Sequence, residues 1–166
     1  MKAVINTSNM QISLLADFPQ FVPSIARCLL EHWRFALPDD TYDARVERLR
    51  GHLNKDRLPI ALVAHTPHEF VGTVSLRPRD LDDHTELSPW LGGLYVMEAF
   101  RHRGIGQALC AAAEDLAKNQ NASTLYLFTL DKQDWYEHQK WQVIDQCLWQ
   151  GRKGIVMCKQ VGPDGH

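Results

Sequence analysis

Residues 101–106 (RHRGIG) form the stretch of this sequence that decides the fold. The residues before it, Trp90–Val96 (WLGGLYV), predict a buried strand, and those after it, Gln107–Lys118 (QALCAAAEDLAK), predict a helix. A basic, glycine-containing turn between a strand and a helix is typical of phosphate-binding sites, because free backbone N–H groups and the positive end of the helix dipole face the anion. Glycine removes side chains that would hold the ligand away. Arginines at a helix start oppose the dipole, so an anionic ligand would explain Arg101 and Arg103.

The composition is that of a globular protein of modest size. A chain of 166 residues suits one domain and is long enough to bury a substantial core. The net charge of −2, from 18 basic and 20 acidic residues, gives no general attraction to nucleic acid or to an anionic membrane. No apolar run approaches the roughly 20 residues of a membrane helix. We expect one domain over residues 1–160, followed by a flexible C-terminal tail at residues 161–166.

The cysteines and the N-terminus indicate the cellular compartment. The four cysteines show no C-x-x-C spacing, which favours core thiols in a reducing environment over a zinc site. The N-terminal residues MKAVINTSNM lack the apolar segment of a signal peptide. The sequence therefore predicts a cytoplasmic protein without a bound metal.

The predicted elements run in the order β-α-α-β-β-β-α-β-α-β-β. Apolar periodicity and turn residues define them. Besides the strand and helix around residues 101–106, the predicted strands are 10–16, 58–64, 70–76, 123–128, 141–148 and 154–159, and the predicted helices are 19–33, 41–55 and 131–139. Thr41 is a candidate N-cap for the second of these helices. Such an order predicts a mixed sheet with helices on its faces.

This order, together with the R-x-x-G-x-G pattern of Arg101, Gly104 and Gly106, resembles the GNAT superfamily of N-acetyltransferases, which use acetyl-coenzyme A. The resemblance is strongest over residues 62–141. It implies an α/β fold of the α+β type, with a mixed, mostly antiparallel central sheet, helices on both faces and a splayed strand pair that holds the cofactor. The cofactor-binding residues that it implies are Leu94, Tyr95, Val96, Arg101, His102, Arg103, Gly104, Ile105, Gly106, Gln107 and Thr129. A dinucleotide-binding Rossmann fold would instead need G-x-G-x-x-G directly after an early strand.

Two glycines interrupt the strand that precedes the basic turn. Gly92 and Gly93 indicate a β-bulge or a close backbone approach, although they could also make room for a helix packed above. In the resembling family, a bulge here splays two parallel strands, and the pantetheine arm of the cofactor enters the gap. The Leu94 N–H would then polarise the thioester carbonyl.

Tyr136 matches a second feature of the family, a tyrosine in a short helix after the fifth strand. A phenol with a pKa of about 10 is neutral at pH 7 and could protonate the departing thiolate. The alternative is an aromatic residue packed beside Trp135 and Trp141. The family usually has glycine at the position of Lys140 and often asparagine at that of Thr129. Lys140 would need a positive φ or a different helix end, whereas Thr129 can still donate a hydrogen bond.

The transfer also needs an unprotonated amine, and a base acting through water would help to supply it. Glu86 and His84, just before the glycine strand, are the candidates, although both could belong to a solvated loop.

Acidic side chains crowd two loops, at Asp39, Asp40 and Asp43 and at Asp80, Asp82, Asp83 and Glu86. They would favour a cationic amine if both loops flank the acceptor, but acidic loops are also common on soluble surfaces.

The predicted function is transfer of an acetyl group from acetyl-coenzyme A directly to a primary amine, either a small molecule or a protein N-terminus. The expected partners are that amine and a possible second copy of the chain, with no nucleic acid and no membrane. The alternatives are a catalytically weak coenzyme A sensor or interaction module and an acyltransferase that uses a longer acyl group.

Overall fold

The computed structural model describes residues 9–162. Its strands are β1 (Gln11–Leu14), β2 (Ile60–His65), β3 (Phe70–Arg77), β4 (Trp90–Val96), β5 (Thr124–Thr129), β6 (Gln142–Trp149) and β7 (Arg152–Gln160). Its helices are α1 (Val22–His32), α2 (Tyr42–Arg50), α3 (Ile105–Asn119) and α4 (Gln133–Glu137). The order of elements agrees with the one predicted from the sequence.

The strands form one sheet of seven in the order β1-β2-β3-β4-β5-β7-β6. Every neighbouring pair is antiparallel except β4 and β5. One apolar cluster lies between the sheet and α3, and another lies between β2, β3 and the α1–α2 pair. The predicted fold class, a mostly antiparallel mixed sheet with helices on its faces, is confirmed.

Local sequence signals fix where several helices begin and end. The Thr41 hydroxyl accepts a hydrogen bond of 3.1 Å from the Ala44 N–H and so caps α2, as predicted. That helix ends before Gly51 rather than near residue 55. α1 begins at Val22 instead of residue 19, because Pro19–Phe21 forms a separate 3₁₀ turn. The buried side chains of α3 recur every fourth residue, which turns one apolar face of the helix onto the sheet.

The two ends of the described chain differ from the expectations in detail. β1 is shorter than the predicted strand 10–16, because the chain turns into a 3₁₀ helix at Leu15–Asp17. At the other end, the N–H groups of Val161 and Gly162 donate to the Ser123 carbonyl at 2.8 and 3.1 Å. The rest of the predicted tail, residues 163–166, lies outside the described residues, as do residues 1–8.

α4 ends on a lysine in the left-handed conformation. Lys140 has φ +74°, and the Trp141 N–H donates back to the Tyr136 carbonyl at 3.2 Å, which closes a Schellman-type end. The chain therefore keeps the backbone that glycine supplies at this position in the resembling family. A side chain in this conformation costs about 1–2 kcal/mol.

Lys140→Gly is therefore expected to stabilise the protein. Relief of the left-handed strain should outweigh the greater chain entropy of glycine and leave a net gain of up to about 1 kcal/mol in the free energy of unfolding. For a chain of this size, that corresponds to a rise in Tm of about 2–4 °C, measured by calorimetry. Lys118→Gly, on the exposed side of α3, is the control and should lower Tm. A fall in Tm in both variants would contradict the assignment of strain.

Candidate active site

The parallel strands β4 and β5 separate after a single point of pairing. Within the described residues they are paired at Trp90 and Tyr126, where the Tyr126 N–H also donates to the Pro89 carbonyl at 3.1 Å. Further along, the Met97 N–H donates to the Val71 carbonyl of β3 at 2.8 Å. Because backbone direction alternates along a strand, Tyr95 also faces β3, whereas the backbones of Leu94 and Val96 face the gap toward β5.

The glycine pair of β4 lies at a bulge, as predicted. Between the pairs Thr73–Tyr95 and Ser75–Gly92, β4 has one residue more than β3, and Gly93 has φ +63°. The bulge lies at the edge of the gap, one residue before Leu94. It turns the backbone at the point where the resemblance places the thioester.

The structure gives a reason for the two glycines other than a helix packed above them. An ion pair, rather than a helix, packs over them: Arg77 Nη1 lies 2.9 Å from Asp80 Oδ1. A Cβ on Gly93 would lie 2.7 Å from Arg77 Nη2, and one on Gly92 would lie 3.0 Å from Asp80 Oδ2. Nothing in the sequence singles out this pair as part of the site, because its position depends on how β3 and β4 pair.

The turn before α3 has the geometry of an anion site. Gly104 has φ +80°, and no described atom lies within 4 Å of the position of a Cβ there. The first hydrogen bond of the helix runs from the Ala108 N–H to the Gly104 carbonyl at 3.0 Å, and no side chain of residues 9–162 caps the helix. The N–H groups of Ile105, Gly106 and Gln107 are therefore free to bind a phosphate. These features fit the pyrophosphate of coenzyme A.

Among the basic residues of this turn, Arg101 is folded back onto β4. Its Nε donates to the Val96 carbonyl at 2.8 Å, and its guanidinium carbon lies 5.5 Å from the centre of the Tyr95 ring. His102 and Arg103 are exposed, and the Arg103 guanidinium carbon lies 5.9 Å from the centre of the Phe100 ring. The Tyr95 ring lies on the face of the sheet that carries α1, where it contacts His32 edge-on.

α4 lies beside the start of α3. Trp135 packs on Gly106, whose Cβ would lie 3.2 Å from the indole, and Trp135 contacts the Tyr136 ring edge-on. Tyr136 is only 7% exposed, and burial raises its pKa far above the usual range. The phenol therefore carries its proton throughout the physiological pH range, although the same burial makes it a weaker acid than an exposed tyrosine. It also packs against Trp141, so the sequence alternative of a packed aromatic describes the same side chain.

Thr129 is buried where β5 ends. Its hydroxyl oxygen accepts a hydrogen bond of 3.0 Å from the Lys132 N–H and thereby shapes the turn that leads into α4. Position 129 thus supports Tyr136 by placing its helix.

His84 does not have a free ring nitrogen with which to act as a base. It is 7% exposed, and its Nδ1 and Nε2 lie 2.7 Å from Asp83 and 2.9 Å from Asp145 of β6. Hydrogen bonds to these two carboxylates raise the pKa of His84. The histidine therefore fastens the β3–β4 connection to β6. Glu86, the other predicted base, is exposed on the same connection.

The contribution of His84 to the free energy of unfolding should depend on pH. A histidine whose pKa is raised by folding stabilises the fold fully below its unfolded pKa of about 6.5, and this stabilisation is lost as pH rises through the folded pKa. His84→Gln should therefore lower the free energy of unfolding more at pH 5.5 than at pH 8.5, as measured in urea. The exposed His68→Gln variant should show no such trend. An equal loss at both pH values would mean that the charge of His84 contributes nothing.

These features define a class of α/β protein that can take an extended, phosphate-bearing ligand into its sheet. A model of the Acetyltransferase (GNAT) family matches residues 22–139, and the chain belongs to this family. The predicted family and the predicted kind of enzyme, an acyltransferase, are thereby confirmed. No curated protein sequence matches the chain.

Solved structures of acetyltransferases share the fold. The aminoglycoside 6'-N-acetyltransferase from Enterococcus faecium is 20% identical with a TM-score of 0.70, and the match covers 94% of this chain and 99% of that one. An aminoglycoside 6'-N-acetyltransferase complexed with coenzyme A is 21% identical with a TM-score of 0.67, covering 94% and 99%. The protein yncA from Salmonella typhimurium, with its cofactor acetyl-coenzyme A, is 15% identical with a TM-score of 0.70, covering 95% and 97%.

Two further features of residues 9–162 bear on other functions. In this part of the chain, no helix is both long and apolar enough to cross a bilayer. Nor does it bring together three or more His, Cys, Asp or Glu side chains in a way that could hold a metal ion. The site described above is thus built from backbone groups, arginines, a tyrosine and carboxylates.

Proposed function

We propose that the protein transfers an acetyl group from acetyl-coenzyme A directly to a primary amine, on a small molecule or a protein N-terminus. The observation that carries this proposal is the gap between β4 and β5, which continues into the uncapped start of α3. The Leu94 backbone and the Val96 N–H, which face the gap, can pair with the pantetheine arm as a strand would, while the Val96 carbonyl accepts from Arg101. The N–H groups of residues 105–107 and the open space at Gly104 can receive the pyrophosphate.

We assign each bond change of the transfer to a group of this chain. The amine nitrogen bonds to the acetyl carbon while the carbon–sulfur bond breaks, without a covalent enzyme intermediate. The Leu94 N–H, which faces the gap, donates to the carbonyl oxygen as negative charge develops there. One such donor is worth about 3–4 kcal/mol in other enzymes. The neutral Tyr136 phenol donates its proton to the departing sulfur.

Two carboxylates of the β3–β4 connection can take the proton from the amine. Glu86 is the base expected from the sequence, and its exposed side chain would act through water. Asp80 is the second candidate, because its carboxylate lies against the bulge and burial raises its pKa despite the neighbouring Arg77. A raised pKa makes a carboxylate a stronger base near pH 7.

Single amide variants distinguish the two carboxylates. We expect Asp80→Asn to lower kcat/KM by at least about tenfold at pH 7, and less at high pH, where the amine is already neutral. Glu86→Gln is the matched control on the same connection and should have the smaller effect. Initial rates across pH 6–9 provide the measurement. A larger loss of kcat/KM in Glu86→Gln would indicate that Glu86, the residue expected from the sequence, is the base.

Binding and turnover test the proposed function in sequence. Purified protein is titrated by calorimetry with acetyl-coenzyme A, desulfo-coenzyme A and NAD, and coenzyme A release is then measured with a panel of amines. Micromolar binding of the coenzyme A ligands, no response to NAD and turnover with an amine would support the proposal. Binding without any turnover would favour the sensor or interaction module, and preference for a longer acyl-coenzyme A would favour the other acyltransferase. No binding would overturn the proposal.

The cellular location and the oligomeric state are the last parts of the proposed function. The four cysteines carry free thiols, which supports the proposed cytoplasmic location. We also propose a homodimer, which size-exclusion chromatography with light scattering can test. Val143, Ile144 and Leu148 support it as exposed apolar side chains of β6, the edge strand of the sheet.

A further inference from the structure

We propose that the amine acceptor carries a carboxylate, and that this carboxylate binds to Arg45 and Arg77 in a cavity beside the β4 bulge. The inference rests on the proposed acetyl transfer and specifies its acceptor. The acceptor class is thus an amino acid or another small amine with an acid group, rather than a polycationic amine.

The cavity lies between α2 and the β3–β4 connection and has a volume of about 400 Å³. It is lined by basic and acidic side chains, which are Arg45, Arg48, His52, Arg77, Arg79, Asp80 and Asp82. Ser75 of β3 forms part of its wall. A volume of this size accommodates a small ligand with polar groups at fixed points.

Arg45 is the most deeply buried of these cations. The residue is 9% exposed, and its Nε has no hydrogen-bond partner among residues 9–162. Its Nη2 lies 2.8 Å from Asp40 Oδ2, in an ion pair. The same carboxylate oxygen also pairs with Arg48, so a single carboxylate serves two guanidiniums. Arg45 Nε is therefore a buried donor without a partner in this part of the chain.

Arg77 brings the second set of unused donors next to the reacting centre. Its Nη1 is paired with Asp80, but its Nε is buried without a hydrogen-bond partner in the described part of the chain. Its Nη2 lies over the bulge, 2.7 Å from the position of a Cβ on Gly93. An acceptor held by this side chain is therefore adjacent to Leu94, whose N–H faces the gap.

The local charge favours an anion. Arg45, Arg48 and Arg77 face the carboxylates of Asp40 and Asp80, which leaves one positive charge, while the exposed Arg79 and Asp82 balance each other. Buried donors without acceptors destabilise a folded protein. The planar guanidinium fork matches the two oxygens of a carboxylate, which would bind the guanidinium nitrogens that the cavity exposes, because Arg45 Nε, Arg45 Nη2 and Arg77 Nε are enclosed by the protein.

The same ion pairs weaken the expectation that acidic loops attract a cationic amine. Asp40 is paired with Arg45 and Arg48, Asp80 with Arg77, and Asp83 with His84. Three of the seven carboxylates in the two acidic loops are therefore paired within the fold. A second ammonium group on the acceptor would meet arginines in this cavity and be repelled.

Matched pairs of amines, with and without a carboxylate, test the inference. Glycine and methylamine, lysine and cadaverine, and phenylalanine and phenethylamine span small, cationic and aromatic side chains. With saturating acetyl-coenzyme A, the preferred pair should show kcat/KM at least about tenfold higher for the carboxylate member, the effect of one charged hydrogen bond. Arg77→Gln should bring the ratio of kcat/KM between the two members of this pair close to one, and this ratio is the readout because the loss of the Asp80 partner can change both rates.

Two further variants control for folding and for charge. Arg45→Gln should also remove the preference, and Arg77→Gln keeps the test valid if Arg45→Gln does not fold. Arg50→Gln makes the same charge change on the exposed side of α2, outside the cavity, and should retain the preference. Equal loss in Arg50→Gln would mean that overall charge, not the cavity, sets the preference, and would overturn the inference.

A binding arm separates this inference from the proposed function. The N-acetyl forms of the same pairs are titrated by calorimetry into the protein with coenzyme A present. Selective binding of a carboxylate form, lost in Arg77→Gln, would support the inference even for a protein without turnover. Turnover that favours carboxylate-free amines would overturn the inference and leave the proposed function intact. Absent or equal binding of the two forms in every pair would also overturn it.

Discussion

Gly104→Glu is expected to weaken the binding of acetyl-coenzyme A by at least about a hundredfold, because like charges brought together in a binding site cost several kcal/mol. The glycine has φ +80° and open space where a side chain would stand. A glutamate there would place bulk and negative charge where the pyrophosphate should meet the free N–H groups of α3. Isothermal titration with acetyl-coenzyme A measures the effect.

A second glycine provides a matched control for this variant. Gly151, in the turn between β6 and β7, has φ +73° and no described atom within 4 Å of a Cβ position. Gly151→Glu thus adds the same charge and backbone strain away from the α3 turn, and should bind the cofactor as the wild type does. Wild-type affinity in Gly104→Glu would show that the turn does not hold the pyrophosphate.

Tyr136→Phe should lower kcat by about a hundredfold, the lower range for loss of a general acid, while the Kd for acetyl-coenzyme A stays the same. The phenol is buried and kept neutral, and the change removes a single oxygen from it. Because the ring remains, its packing against Trp135 and Trp141 is preserved. Pre-steady-state rates of coenzyme A release report the chemical step directly.

The comparison for this variant is Tyr42→Phe, which removes a hydroxyl from α2 and should leave kcat unchanged. If Tyr136→Phe matches the wild-type rate at every pH between 6 and 9, another group protonates the sulfur. In that case Tyr136 would be only a packed aromatic. A fall in Tm without a fall in kcat would indicate the same role.

Features that depend on neighbouring residues could be predicted from the sequence. The Thr41 cap, the bulge at Gly92 and Gly93 and the glycine turn before α3 each follow from backbone requirements that a few adjacent residues express. The positive φ of Lys140 was one of two predicted ways to end α4. The element order and the family resemblance depended on the same local signals.

Features that depend on distant contacts could not be predicted. His84 is a candidate base in the sequence, but its ring binds a carboxylate 61 residues away on β6. The charged residues of the cavity beside the bulge come from a helix, a strand and a connection that the sequence does not show to be adjacent. The acidic loops likewise gave no indication that two of their carboxylates, Asp40 and Asp80, are paired with arginines.

The gap between β4 and β5 also affects how the empty protein behaves. Two strands inside the sheet leave part of their hydrogen-bonding edges uncovered, an arrangement that proteins usually avoid even at the rim of a sheet, because such edges pair with other chains and promote aggregation. In this fold, the uncovered edges lie inside the sheet, in the opening between β4 and β5. A ligand that fills the opening would thus cover these unpaired backbone groups. We therefore expect the solubility of the protein during purification to depend on whether the ligand is bound.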